Sequence, residues 1–406
     1  MLNNRRKRRK CIFWTLVFGI LISLFIAVSI RDVLIASSFI CTTEDVLKNH
    51  INNLCLEVKN EVIVSNNLVE SSENLCEDLC VEDISSKVEC KTFHLNKPTV
   101  FTYDNGRKKI VKSAINAKER EEAVSDSDDV EEEYWNSKST QPYFPTKDEF
   151  THMVNIYIGN FIDGEVNQDM VLSLLSHSNV YQTNTESLST HKNFWLLTQD
   201  HEYLTSIIFE EYNLFPKVLS TCGAYYSMEY FTPLTENAMR PYKLQWRERL
   251  WKALDIMKYV GQLENAWVEP LHICDVKHDH FGWSEDGKVR FLDLDSIFTE
   301  SVLLKTMENT PVCINNEDCS YFDCKGRCHV KMARCELERT NTNLQVICDK
   351  IFLGNTDGLI SLYGLLVSHE ANEELSEALE ICRTNRGMTF DGMMEVITKA
   401  SNHLMY

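Results

Sequence analysis

The chain has 406 residues and carries 60 acidic side chains against 41 basic ones, a formal net charge of −19 at pH 7. Six of the basic residues lie at positions 5–10, so the rest of the chain is more acidic still. A surface this negative repels phosphate backbones and anionic lipids. The charge therefore makes the chain a poor match for nucleic acid, which is not expected as a partner, while 44% hydrophobic residues suit a chain with a sizeable folded core.

The N-terminus predicts a membrane anchor. Residues 5–10 read RRKRRK, and residues 12–30 then run for 19 positions without a charge. A helix of that length spans about 28 Å, close to the hydrocarbon thickness of a bilayer. A cleavable signal peptide is the alternative, but its apolar region is usually about 7–15 residues long and ends at a small-residue site, which is missing here. By the positive-inside rule, we expect a cytosolic tail at 1–11, a signal-anchor at 12–30 and a lumenal remainder, which is a single-pass type II membrane protein.

Cysteine usage agrees with a lumenal location. Of 15 cysteines, 14 lie beyond the predicted anchor, and six of these lie within residues 313–348. In an oxidising compartment such cysteines form disulfides, although their pairing does not follow from their order. Zinc ligation within residues 319–335 is the alternative, and the lack of paired C-x-x-C knuckles weighs against it. Residues 31–90, which hold five cysteines, are predicted to form a cysteine-rich lumenal stem.

The pattern over residues 91–406 predicts strands first and helices later. Two alternating apolar segments flank Asp104-Asn105-Gly106, where Asn-Gly accepts the positive φ angles of a tight hairpin turn. Two short strands are predicted around Cys222-Gly223. Helical periodicity is predicted in an acidic insert at about 114–192, and then at about 193–212, 243–263, 343–352, 358–381 and 390–404. This order is typical of an α+β, two-lobed body, with an N-lobe at about 91–232 and a C-lobe at about 233–406.

Residues 272–295 carry the most informative pattern, HICDVKHDHFGWSEDGKVRFLDLD. Asp275 and Asp293 lie 18 positions apart, and a Glu-Asp-Gly turn between them joins two apolar segments. A hairpin at that turn would bring both carboxylates to the same end of the ribbon, as a site for a metal-bound phosphate requires. Lys277 would point the same way and neutralise a phosphate. The alternative is a surface hairpin with scattered charges, because Asp-x-Lys is common by chance.

Upstream residues favour the phosphate-binding interpretation. Lys112 lies late in a predicted strand that reads Ile-Val-Lys-Ser, similar to the strand that carries the phosphate-binding lysine of protein kinases. Glu202 lies on the helix before two short strands, where it would pair with Lys112. Glu229 and Tyr230 follow as a linker between the lobes, whose backbone would meet an adenine. Together these residues predict a nucleotide site.

At this point a family resemblance is evident. The stretches HICDVK and FLDLDSIF, followed by NEDCSYFDCKGRC and NTNLQVICDKIF, closely resemble the divergent protein kinase domain 1 family. Its members are cysteine-rich type II membrane proteins of the endoplasmic reticulum with a protein-kinase-like fold. The resemblance covers nearly the whole chain. It implies a phosphate lysine at Lys112, with Glu202 as its helix partner. It also implies a catalytic base at Asp275 and a metal ligand at Asp293, with ATP and Mg²⁺ or Mn²⁺ as cofactors.

The chain departs from the kinase pattern at several positions. The His-Arg-Asp triplet of protein kinases reads Ile273-Cys274-Asp275, and the missing Arg removes the usual link to a phosphorylated activation loop. His280 stands where the family carries a metal-binding Asn. Histidine is a poor ligand for Mg²⁺, so the change implies Mn²⁺, a single metal or lost activity. No Gly-rich loop lies upstream, and the EF-hand-like stretch at about 179–190 lacks the acidic ligands, so calcium binding is not expected.

The sequence leaves three functions open. The first is an atypical kinase that transfers phosphate to a secretory-pathway protein or glycan. The second is a pseudokinase that binds a nucleotide or a partner, which the change at His280 favours and the retained Lys112, Glu202, Asp275 and Asp293 oppose. The third is a cysteine-rich scaffold without a nucleotide site.

Overall fold

A computed structural model describes residues 51–52, 54–56, 75–80, 88–94, 97–104, 106–116, 147–164, 188–234, 244–309, 312–354, 364–384 and 387–402. The predicted signal-anchor, the acidic part of the insert and most of the EF-hand-like stretch lie outside these residues. Within the described ranges, no helix combines the length and the apolar character that a bilayer crossing needs.

Five antiparallel strands form one sheet in the N-terminal part. They are β1 (Val88–His94), β2 (Lys97–Asp104), β3 (Lys108–Asn116), β4 (Val218–Cys222) and β5 (Tyr225–Glu229). Their order in the sheet is β1-β2-β3-β5-β4. The predicted hairpin between β2 and β3 is confirmed, since Asp104 pairs with Lys108 and Gly106 takes a φ of 80°. In the register of β3 and β5, Lys112 pairs with Tyr226.

Four described helices accompany this sheet: α1 (Leu75–Cys80), α2 (Lys147–Ile162), α3 (Leu188–Gln199) and α4 (His201–Ile208). The prediction of a single helix over 193–212 is wrong, because the helix is interrupted at Asp200. This residue has an extended backbone, and its side chain accepts a hydrogen bond from the Tyr203 amide at 2.7 Å. Such an N-cap starts a new helix and satisfies one of its unpaired amides. Glu202 therefore lies in the first turn of α4.

The stem residues pack on the sheet. Cys76 of α1 is disulfide bonded to Cys222 of β4, and Cys55 is bonded to Cys80. Buried apolar side chains of α1 share one cluster with those of β2, β3 and β5. The predicted domain limits at 90/91 and 114 fall inside β1 and β3, because strand pairing, not cysteine density, sets the edge of the sheet.

The C-terminal part begins with a short connection and alternates strands with helices. Its first elements are β6 (Thr232–Pro233), α5 (Trp246–Leu263), β7 (Leu271–Ile273), β8 (Phe281–Trp283), β9 (Val289–Phe291), β10 (Ile297–Thr299) and α6 (Glu300–Glu308). β6 pairs with β8, so the predicted lobe boundary at 232/233 falls in the connecting strand. β8 and β9 form the predicted hairpin, and Gly287 in its turn has a φ of 81°. β7 pairs with β10, which follows Asp293.

The cysteine-rich segment is built from two small hairpins. Its strands are β11 (Ser320–Tyr321), β12 (Cys324–Lys325), β13 (Cys328–His329) and β14 (Arg334–Cys335). All six cysteines within residues 313–348 form disulfides, which overturns the zinc alternative. The bonds are Cys313–Cys328 and Cys319–Cys335 inside the segment, and Cys274–Cys324 and Cys348–Cys382 to other elements.

The last described elements are α7 (Asn343–Val346), which continues as a π-helical turn over Ile347–Phe352, then α8 (Glu373–Arg383) and α9 (Phe390–Asn402). Of the helix predicted over 358–381, the described residues 364–372 are not helical, and α8 begins after Asn372, whose side chain accepts from the Leu375 amide at 2.9 Å as its cap. The preceding residues, 364–367, are held by buried Arg249 of α5. Its guanidinium donates to their carbonyl groups at 2.6–2.9 Å. One large apolar core joins these helices to α4, α5 and β7 to β9.

Candidate functional site

Lys112 and Glu202 form a buried ion pair that joins the sheet to α4. The Nζ atom of Lys112 lies 2.7 Å and 2.6 Å from the two carboxylate oxygens of Glu202. Each side chain is only 11% exposed. Burial alone lowers the pKa of Lys112, but the attraction of Glu202 and the hydrogen bond to it outweigh burial, so the pKa is raised. The structure thus brings these two predicted residues into direct contact, with the lysine charged.

The same pair contacts the chain that follows β9. Lys112 Nζ donates to the Leu292 carbonyl at 3.4 Å, and the Leu294 amide donates to a Glu202 oxygen at 3.0 Å. These contacts lie on either side of Asp293. The ion pair therefore fixes the backbone that carries the Asp293 carboxylate.

Asp275, His280 and Asp293 meet at one point, where a ligand atom from each lies within 4.8 Å of the others. The Nδ1–H of His280 donates to the Asp275 carbonyl at 2.9 Å, since a carbonyl oxygen only accepts. The Nε2 atom, on the other side of the ring, lies 3.1 Å from an Asp293 oxygen. Two carboxylates and one imidazole nitrogen are a partial ligand set for a divalent cation.

Carboxylates crowd this cluster. Burial raises the pKa of Asp293, and His280 partly opposes that effect. Desolvation and repulsion from Glu202 raise the pKa of Asp295 to about 7, even though this residue is exposed to solvent, which screens the effect. A divalent cation favours the charged form of nearby carboxylates. The donor set therefore fits a metal ion, and a bound cation would stabilise the charged form of the carboxylates whose pKa is raised.

Lys277 lies on the solvent side of the cluster. Its Nζ atom is 2.8 Å from Asp275 Oδ2, and its side chain is 56% exposed. Burial lowers the pKa of Lys277, but the hydrogen bond to Asp275 and the attraction of nearby carboxylates outweigh it and raise the pKa. An exposed ammonium group beside Asp275 is placed to meet a phosphate that arrives from solvent.

Glu229 and Tyr230 lie where β5 leaves the sheet. The Glu229 amide donates to the Lys217 carbonyl at 3.0 Å, and its carboxylate lies 3.5 Å from Arg107. The Tyr230 ring lies 4.2 Å below the Lys108 ammonium, which also donates to its hydroxyl group at 3.2 Å. The Glu229 side chain thus contacts the turn between β2 and β3, and the Tyr230 side chain contacts the first residue of β3; the contact with adenine stays a prediction.

Three residues beside the cluster were not predicted from sequence. Asp295 lies two residues after Asp293, and repulsion from Asp293 is one of the effects that raise its pKa. Desolvation and the nearby carboxylates of Asp295 and Asp275 raise the pKa of Tyr321. Asp323 accepts a hydrogen bond from the Val276 amide at 2.8 Å. Tertiary contacts, among them the disulfide between Cys274 and Cys324, bring the last two residues here, so local sequence carried no signal for them.

A sheet lysine paired with a helix glutamate, beside two carboxylates on the segments that flank the β8–β9 hairpin, is typical of a protein-kinase-like protein, and this chain also has many disulfides. Comparison with known families agrees with this class. Residues 194–385 match the protein-kinase domain of FAM69, and residues 8–177 match the N-terminal cysteine-rich endoplasmic reticulum domain of FAM69. The chain belongs to the FAM69 family, which is the divergent protein kinase domain 1 family. The description of its N-terminal domain indicates the endoplasmic reticulum as its location.

Proposed function

We propose that this chain is a two-lobed, kinase-like protein that binds ATP with a divalent cation and transfers phosphate to an acceptor of the secretory pathway, a protein or a glycan. The observation that carries the proposal is the buried Lys112–Glu202 pair, which is bonded to the backbone on both sides of Asp293. A purely structural ion pair has no need to hold that carboxylate beside Asp275 and His280. This arrangement fixes the position of the proposed phosphate-binding Lys112 relative to the proposed metal ligand Asp293.

The residues have distinct roles in the proposed reaction. Lys112 binds the nucleotide phosphates, while Asp293 and His280 hold the cation. Asp275 orients the acceptor hydroxyl group and takes its proton, and Lys277 stabilises the transferred phosphate. Bound ATP supplies the phosphoryl group. Because the chain offers few further groups, positioning and charge would account for most of the rate enhancement.

The charge-free run at 12–30, behind the basic residues at 5–10, supports a retained signal-anchor with the kinase-like part in the lumen. The disulfides agree with this orientation, because they persist in an oxidising compartment. We therefore propose a single-pass type II protein of the endoplasmic reticulum membrane.

His280 suggests which metal the site prefers. Its Nδ1–H is held by the Asp275 carbonyl, so Nε2 is the ligand atom offered beside Asp293. An imidazole nitrogen suits Mn²⁺ and later transition metals better than Mg²⁺, which demands oxygen ligands. We expect the site to select Mn²⁺ over Mg²⁺.

The alternative function is a nucleotide-binding pseudokinase, and one contact favours it. The His280 ring lies 3.1 Å from Asp293, so it occupies space that a second metal ion would need. A single-metal site can retain nucleotide affinity and lose phosphate transfer. A cysteine-rich scaffold without a nucleotide is the remaining alternative.

A turnover assay separates these functions. The full-length chain, purified oxidised in detergent, is incubated with γ-labelled ATP and Mn²⁺ or Mg²⁺, beside Asp275→Asn and Asp293→Ala. We expect metal-dependent label transfer or ATP hydrolysis, and we expect each substitution to lower its rate at least 100-fold. Nucleotide binding without turnover would identify a pseudokinase. No nucleotide binding with any metal would leave the scaffold.

A further inference from the structure

The backbone on both sides of Asp275 is attached to the cysteine-rich segment. The Asp323 amide donates to the Cys274 carbonyl at 2.6 Å, and the Val276 amide donates to Asp323 Oδ2 at 2.8 Å. Cys274 is also disulfide bonded to Cys324. Two neighbouring residues of the segment therefore make three attachments to the residues that flank Asp275.

Asp323 is itself held in place. Its Oδ1 atom lies 3.1 Å from Lys350 Nζ, and the side chains of the pair are 13% and 17% exposed. Its backbone carbonyl accepts from the Asn341 side chain at 2.8 Å. Lys350 lies in the π-helical turn after α7, so the carboxylate that binds the Val276 amide is anchored to the helical core. A charge-assisted hydrogen bond to a fixed carboxylate is among the stronger kinds of contact.

The disulfide lies at the position where protein kinases carry a regulatory Arg. Protein kinases carry Arg before the catalytic Asp, and that Arg links the catalytic loop to a phosphorylated activation loop. This chain has Cys274 there, and its covalent partner lies in the segment after Asp293, where an activation loop would be. A disulfide and a carboxylate thus join the same two parts of the chain without a phosphate.

We propose that Asp323, together with the Cys274–Cys324 disulfide, is a positioning residue for Asp275. It holds the loop in the arrangement in which Asp275 meets His280 and Asp293, permanently and without phosphorylation. This inference rests on the proposed function, because it assigns Asp323 a role in that site. Outer contacts of this kind commonly set metal affinity by about 10- to 100-fold.

A matched pair of variants isolates the hydrogen bond from Asp323. Removing the carboxylate alone would take a buried partner away from the Lys350 ammonium group and could destabilise the fold. Both variants therefore carry Lys350→Met. One adds Asp323→Asn, which keeps an acceptor oxygen for the Val276 amide, and the other adds Asp323→Leu, which has similar size and no acceptor. Any difference between them reports on the acceptor.

Two readouts on the oxidised full-length chain test the proposal: deuterium exchange of backbone amides in residues 274–278, and the affinity for Mn²⁺ alone by calorimetry. With Asp323→Leu we expect exchange about tenfold faster and Mn²⁺ binding at least tenfold weaker than with Asp323→Asn. The Asn variant should stay within about threefold of wild type. As a further control, Asp318→Ala removes two backbone contacts in the same segment but none to the Asp275 loop, and it should change neither readout.

Equal exchange and equal Mn²⁺ affinity in the two double variants would overturn the proposal. If wild type binds no Mn²⁺ and no ATP, the proposed function fails instead, and the exchange rates still decide whether Asp323 holds the loop. Faster exchange with unchanged Mn²⁺ affinity would show that the loop is stabilised but that the metal site is not positioned by Asp323, which also rejects the proposal.

Discussion

The buried pair of Lys112 and Glu202 predicts a large and non-additive effect on stability. Both side chains are 11% exposed, and Glu202 also accepts from the Leu294 amide. Removing one partner of a buried ion pair costs about 3–5 kcal/mol, because the other charge is left unpaired in a low dielectric. Lys112→Met and Glu202→Leu should each lower the free energy of unfolding by that amount.

The double variant should be more stable than either single variant. It leaves no buried unpaired charge, and its main remaining defect is the unpaired Leu294 amide, which costs about 1–3 kcal/mol. The two single losses sum to about 6–10 kcal/mol, so a coupling of about 5–7 kcal/mol between the two positions follows. For a domain of this size, each kcal/mol shifts the melting temperature by about 2–4 °C, so the single variants should melt roughly 10 °C below wild type.

Thermal and denaturant unfolding of the oxidised protein at pH 7 measure this cycle. The control is the exposed pair Glu395 and Lys399, 2.9 Å apart on α9, whose coupling should stay below about 0.5 kcal/mol. If the losses from Lys112→Met and Glu202→Leu simply add in the double variant, the two residues do not interact, and the site as described is wrong.

Three further predictions concern the surroundings of the site. Burial and repulsion from Glu202 raise the pKa of the Asp200 carboxyl group to about 6. The folded state therefore binds the carboxyl proton more tightly than the unfolded state does. The stability that this proton contributes is lost as pH rises from about 4 to 6. Asp200→Asn keeps the cap and should reduce that loss by about 2 kcal/mol in unfolding experiments across this window, whereas an unchanged pH profile would contradict the assignment. A methyl group at Gly282 would lie 2.8 Å from both Leu292 and Phe231, so Gly282→Ala should lower the free energy of unfolding by about 1–3 kcal/mol. Gly261→Ala, in a helix with only an ordinary contact at 4.0 Å, should raise it by about 0.5–1 kcal/mol. Similar melting temperatures for the two variants would contradict this packing. His280→Asn should shift the ratio of Mn²⁺ to Mg²⁺ affinity towards Mg²⁺ by about tenfold in calorimetric titrations, and an unchanged ratio would exclude His280 as a ligand.

Features with a local cause were predictable from sequence. The hairpin turns at Gly106 and Gly287 follow from residues that accept positive φ angles. The proximity of Asp275 and Asp293 followed from one of these turns, since a tight hairpin fixes which residues share an end of the ribbon. Lys112 and Glu202 were paired because of the order of strand and helix along the chain. In the hairpins a few adjacent residues determine the geometry, whereas the pairing of Lys112 and Glu202, 90 positions apart, was predicted from the similarity of their order to that of protein kinases.

Features set by tertiary contacts were not predictable in this way. Asp200 interrupts a continuous helical pattern because its carboxylate caps α4 and is stabilised by the Tyr226 hydroxyl group at 3.1 Å. Disulfide pairing depends on which cysteines meet in space, and six cysteines alone allow 15 pairings. Asp323 therefore could not be placed beside Asp275 from its position in the chain, 48 residues later.

The most direct test of the account is a thermal-shift titration of the oxidised full-length chain with ATP and Mn²⁺ or Mg²⁺, beside Asp293→Ala. A nucleotide at 100 times its Kd stabilises the folded state by about 2.7 kcal/mol, which is a shift of several degrees. We expect a metal-dependent shift, larger with Mn²⁺, that Asp293→Ala abolishes. No shift with either metal, or an equal shift in Asp293→Ala, would contradict it.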